Sequence, residues 1–111
     1  MDTTSPEKRP GLTTASRQTA KHMKSLNEIR QEIDGVDAGI ARLFRRRMEL
    51  VAEIADAKRA MGTAVTDPGR EREIADKAAE AVGEEFADDV RRLYDAIFDI
   101  SRNRQRRVQG A

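Results

Sequence analysis

The sequence has no cysteine and no tryptophan, and only one tyrosine, three phenylalanines and one histidine. Without cysteine there is no disulfide framework and no thiolate metal site. The lone His22 lies in a polar N-terminal stretch, which argues against a histidine-based triad or a zinc site. Aromatics make up 4% of the chain, so the core has to be aliphatic. No apolar run approaches the roughly 20 residues of a membrane span, and the N-terminus lacks the apolar centre of a signal peptide. An excess of charge is missing too. The 21 Lys and Arg against 20 Asp and Glu leave +1, too little for a global field that draws in nucleic acid or membrane. These absences predict a soluble, cytoplasmic protein with neither nucleic acid nor membrane as partner. Strand-like alternation, internal repeats and a glycine-rich phosphate loop are absent as well, so the expected fold class is all-α.

What is present is one long periodic stretch. Ile29, Ile33, Val36, Ile40, Leu43, Leu50, Ile54 and Ala57 recur in steps of three and four, broken once where Arg47 replaces the expected apolar residue. This spacing predicts an amphipathic helix from Leu26 to about Met61. At 1.5 Å per residue such a rod is roughly 54 Å long, whereas a compact chain of this size has a radius of gyration of about 13 Å. One copy cannot cover it, and the expected assembly is an intertwined homodimer. A cation on the buried stripe is costly unless something anionic meets it, so Arg47 calls for a carboxylate of the chain or an anionic ligand.

The rest of the chain reads as follows. Residues 1–24, rich in Thr, Ser, Pro and Lys, predict a disordered leader before a domain over 25–108. Ser25 is the expected N-cap of the long helix with Glu28 as its capping-box partner, and Gly62 the expected left-handed cap at its end. Gly35 and Gly39, inside that helix, would be explained by close approach of another backbone. Asp67-Pro68 announces a second helix running to about Val82 and ended by Gly83. A third helix should start near Glu85 or Phe86 and run to about Arg107, with Val108–Ala111 fraying. Its expected apolar face is Phe86, Val90, Leu93, Tyr94, Ile97 and Ile100, continued by the polar Ser101 and Gln105.

The misplaced polar residues form a set. Arg47 and Lys58 are eleven residues apart, nearly three helical turns, so both point the same way roughly 16 Å apart. Arg70 and Glu71 follow Asp67 in the first turn of the second helix, and Ser101 and Gln105 face inward from the third. Such a pocket is cationic, with neutral donors and one or two carboxylates, which suits a small substrate carrying two carboxylates and a hydroxyl. Arg30 shares a heptad-spaced stripe with Lys58 but lies roughly 42 Å from it along the rod. Two copies crossing antiparallel near Ala41 would place Arg30 of one between Arg47 and Lys58 of the other, giving two composite sites by symmetry. Each member alone is ordinary: a helix-face arginine is usually solvated, Asp67 can be a cap as well as a ligand, and Ser101 can bond back to the carbonyl of Ile97.

Together, Ile29-Arg30-x-x-Ile33-x-x-Val36-Asp37, Arg46-Arg47, Lys58, Asp67-x-x-Arg70-Glu71-Arg72 and Ser101-x-x-x-Gln105 resemble the all-helical, type II chorismate mutases. The match covers about Leu26 to Arg107. The resemblance implies an intertwined dimer of three-helix subunits and the Claisen rearrangement of chorismate to prephenate, in the shikimate route to phenylalanine and tyrosine, with no cofactor and no metal. It implies that Arg47 binds a carboxylate and that Lys58 and Gln105 bond the ether oxygen. It further implies that Arg30 of the partner subunit binds a carboxylate, that Asp67 and Glu71 meet the ring hydroxyl, and that Arg70 and Ser101 complete the wall. Two alternatives stay open: a mutase of 4-amino-4-deoxychorismate, and a non-enzymatic helical dimer that binds partners through Arg45–Arg47 and the basic stretch Arg102, Arg104, Arg106 and Arg107. No separate effector domain fits in 111 residues, so regulation would rest on a partner enzyme, with the basic C-terminal end as the candidate docking element.

Overall fold

The structure is a computed structural model that describes residues 23–110. The expected leader lies, for residues 1–22, outside the described residues. The chain is all-α, with three helices and no strand among the described residues. Helix α1 is Leu26–Met61, α2 is Pro68–Val82, and a short 3₁₀ turn over Glu84–Phe86 leads into α3, Ala87–Gly110. Contacts divide the chain into two units, one ending at Ile40 and one starting at Ala41.

The first unit holds the start of α1, and the expected capping box is formed there. The Ser25 backbone N–H donates to Glu28 Oε1 at 2.8 Å, and the Glu28 N–H donates to Ser25 Oγ at 3.1 Å. Two donors that the first turn would leave free are thereby satisfied. Along this stretch Ile29, Ile33, Val36 and Ile40 are exposed. Among the described residues, nothing beyond the adjoining residues and the helix's own nearby backbone lies within 4 Å of a Cβ built on Gly35, so no other segment of them supplies a close backbone contact there.

The second unit holds the rest of α1 with α2 and α3. Its core is small and aliphatic apart from Phe98: Met48, Val51, Ala55 and Ala79 are the other buried apolar residues. On α1 the row 48, 51, 55 lies beside the predicted seam, not on it. The seam residues Leu43, Leu50 and Ile54 are 66%, 40% and 46% exposed in the single chain. The helix thus has two apolar faces, and the chain buries only one. On α3 the buried row is Phe98, Ser101 and Gln105, whereas the expected face members Phe86, Leu93 and Ile100 are exposed. The inward face is rotated toward Phe98 because Ser101 and Gln105 belong to it.

Three long side chains of α1 and α3 tie the two helices through backbone carbonyls. Arg104 Nε donates to Met48 O at 3.0 Å, Gln109 Nε2 to Ala55 O at 3.2 Å, and Arg59 Nη1 to Gln109 O at 3.2 Å. The last two explain why α3 continues to Gly110 instead of fraying after Arg107. Helix α1 ends as predicted at Gly62, with φ +70°. The Thr63 N–H donates to Lys58 O and the Gly62 N–H to Arg59 O, the paired bonds of a Schellman cap.

Candidate active site

A cavity of about 290 Å³ opens within the second unit between α1, the α1–α2 connection, α2 and α3. Its apolar wall comes from residues such as Leu50, Ile54, Ile74 and Phe98, and its polar lining is Arg47, Lys58, Asp67, Arg70, Glu71, Ser101, Arg102 and Gln105. Seven of the eight residues singled out from the sequence therefore meet in one place. Arg30, on the first unit of α1, is not among the lining residues.

Arg47 is half-buried and forms no ion pair among the described residues. Its Nη1 donates to Ser101 Oγ at 2.8 Å, and its guanidinium carbon stands 5.9 Å from the Tyr94 ring centre and 6.0 Å from that of Phe98. Ser101 in turn donates to Ile97 O at 2.7 Å, so the back-bond and the inward role occur together. The hydroxyl spends its proton on the helix and its lone pair on Arg47, which makes it a holder of the guanidinium. Of the two partners the sequence allowed for Arg47, a carboxylate of the chain is not there among the described residues.

Lys58 also lacks an ion pair among the described residues. Its Nζ donates to Val65 O at 2.8 Å, which aims the ammonium along the pocket wall. The α1–α2 connection is thus the element that orients Lys58. Asp67 caps α2: Oδ1 accepts from the Arg70 N–H at 3.1 Å, with Pro68 at the first helical position. Arg70 leans outward to Glu73 at 2.8 Å, and this bond, with Lys77 adding to it, holds the exposed Glu73 carboxyl below its usual pKa of 4.5. Gln105 is 7% exposed, and its Oε1 has no hydrogen-bond partner among the described residues. A buried amide oxygen left this way costs about 1–3 kcal/mol, which a ligand donor would relieve.

Arg102 is the residue that sequence reasoning placed wrongly. The basic stretch Arg102, Arg104, Arg106 and Arg107 reads as a surface for partners. In the structure Arg102 lines the cavity and pairs with Glu71, and Arg104 bonds the Met48 carbonyl. The signal was the spacing Phe98, Arg102, Gln105, steps of four and three that put Arg102 on the same face as Gln105.

Among the described residues the arrangement has two cations without an ion pair, Arg47 and Lys58, and a buried amide oxygen without a partner, around a partly apolar cavity. It can hold a small anion in a fixed pose. Among the described residues no group of three or more His, Cys, Asp or Glu could hold a metal ion.

Comparison with known proteins shows the family. The family described as chorismate mutase type II matches residues 29–106. The chain belongs to the type II chorismate mutase family. It is therefore an enzyme of the isomerase class. A chorismate mutase of Methanocaldococcus jannaschii is 33% identical over 67 residues, 60% of this chain and 68% of that protein. The T-protein of Haemophilus influenzae is 40% identical over 53 residues, 48% of this chain but 14% of that protein. No helix among the described residues is long and apolar enough to cross a membrane.

Proposed function

We propose that this type II family member converts chorismate to prephenate, serving phenylalanine and tyrosine synthesis, at a site built from Arg47, Lys58, Asp67, Arg70, Glu71, Ser101 and Gln105 and completed by Arg30 of a second copy. The observation that carries this reading is the convergence of these seven residues on one cavity, with Arg47 and Lys58 left without carboxylate partners among the described residues.

The chemistry matches that lining. A pericyclic shift needs neither nucleophile nor general base. The substrate's flexible side chain must be held folded over its ring, which is catalysis by orientation. Arg47, aimed by Ser101 and flanked by Tyr94 and Phe98, is a fixed clamp for one carboxylate. As the C–O bond breaks, negative charge builds on the ether oxygen. Lys58 and the Gln105 amide stabilise that charge more than they stabilise the ground state. Asp67 and Glu71, at the start of α2, accept from the ring hydroxyl.

The test is loss of chorismate absorbance with purified protein, and prephenate identified as product. Saturable turnover that disappears in Arg47→Ala supports the reading. No conversion at any protein concentration overturns it.

A further inference from the structure

Glu71 does not stand alone at the pocket. Arg102 Nη1 lies 2.7 Å from both Glu71 Oε1 and Oε2, across from α3 to α2, and the two side chains are only 25% and 26% exposed. Asp99, at 3.9 Å from Arg102 Nη2, is the weaker and more exposed partner. Both carboxylate oxygens of Glu71 are thus engaged by one guanidinium, and each keeps a lone pair for a further donor. We propose that Arg102 is a specificity-determining positioning residue: by neutralising Glu71, it makes this end of the pocket accept a neutral hydroxyl and disfavour an ammonium group at the same ring position.

This rests on the mutase reading above and decides between its two ring substituents. The lining carries four cations, Arg47, Lys58, Arg70 and Arg102, and two carboxylates, Asp67 and Glu71. Arg30 of the second copy only adds to this excess of positive charge, which suits the two carboxylates of a substrate whose ring substituent is a neutral hydroxyl. A substrate with an ammonium in place of the hydroxyl carries one negative charge less, and its cation would meet a carboxylate already paired with a guanidinium. Desolvating it there without a free counter-charge is unfavourable. A hydroxyl needs only an acceptor, and the pair holds that acceptor in place. Without Arg102, Glu71 would be both mobile and unpaired, which favours the ammonium.

The experiment measures kcat/KM of the full chain, Arg102→Met and Arg102→Lys on chorismate and on 4-amino-4-deoxychorismate, with helix content checked by circular dichroism. Wild type should prefer the hydroxyl substrate. Arg102→Met should move the ratio toward the amine by about tenfold or more, the scale set by leaving a polar group of a site without its partner. Arg102→Lys, which keeps the charge, should retain most of the preference. In a Glu71→Gln background the Arg102→Met change should leave the ratio unmoved, because Arg102 acts through Glu71. Equal losses on both substrates would mark Arg102 as merely structural and overturn the proposal, as would a wild type that prefers the amine. Should Arg102→Met not fold, Arg102→Gln carries the same comparison. A wild type inactive on both substrates overturns the mutase reading itself, and the inference with it.

Discussion

Arg47 is the residue on which sequence and site agree most closely. A cation interrupting an apolar stripe is visible without any structure, because periodicity sets the expectation it violates. The structure adds what spacing could not hold: the guanidinium lies by Tyr94 and Phe98, and Ser101 fixes one of its nitrogens. Arg47→Ala should lower kcat/KM by about 10²–10³ with helix content unchanged, as removal of one fixed charge-stabilising donor does. Arg47→Lys should recover little of this, since an ammonium has no planar fork to share between Ser101 and a carboxylate. Gln105 gives a pH test. A Glu at that position donates only while protonated, so the activity of Gln105→Glu should be greatest at low pH and fall as pH rises through the new carboxyl's pKa. A pH profile of Gln105→Glu no different from the wild type's would remove Gln105 from the ether oxygen. Arg102 was not legible in the same way. A run of arginines reads as solvated surface; the spacing from Phe98 and Gln105 put Arg102 on the inward face, and its partner Glu71, 31 positions earlier on α2, has no local sign.

The helix ends were legible because each carries its own local chemistry: the Ser25–Glu28 box, Gly62, Asp67-Pro68 and Gly83. The end of α3 was not, because its last turn is held by Arg59 and Ala55 of α1, a tertiary cause with no local sign. Asp67 has two jobs that variants can separate. Asp67→Asn keeps the cap, so its thermal midpoint should stay near wild type while any fall in activity reports the site. Asp67→Ala should in addition cost about 1 kcal/mol of stability, the usual worth of an N-cap. Gly62→Ala forces a side chain into the left-handed region and should destabilise by about 1 kcal/mol. It should also slow catalysis, because the connection that follows supplies the Val65 carbonyl that aims Lys58. The first turn of α2 has a pH dependence of known sign. The Glu73 pKa is depressed in the folded chain, so its pairing with Arg70 supports the fold above about pH 4.5 and is lost as pH falls through the lowered value. Glu73→Gln should therefore melt slightly below wild type at pH 7, a small gap because the pair is exposed, and the gap should close as pH falls through the lowered value.

The length of α1 and its unused apolar face are one fact seen twice. Ile33, Val36, Ile40, Leu43 and Ile54 belong to one helix and are all exposed in the single chain, a run of apolar side chains of the kind that marks an interaction site. A second copy would cover it, and the thermal midpoint should then rise with protein concentration. Leu43→Glu should abolish that dependence and the activity together. The sharper test uses two dead enzymes. Arg30→Ala and Arg47→Ala homodimers should each be inactive if every site takes Arg47 from one copy and Arg30 from the other. Mixed one to one and allowed to exchange subunits, half of the dimers become heterodimers. Each of these has one site lacking both arginines and one lacking neither. About a quarter of wild-type activity should therefore return on mixing, a value fixed by the two-fold symmetry alone. If mixing restores nothing although the subunits exchange, Arg30 is not supplied to the site by the second copy.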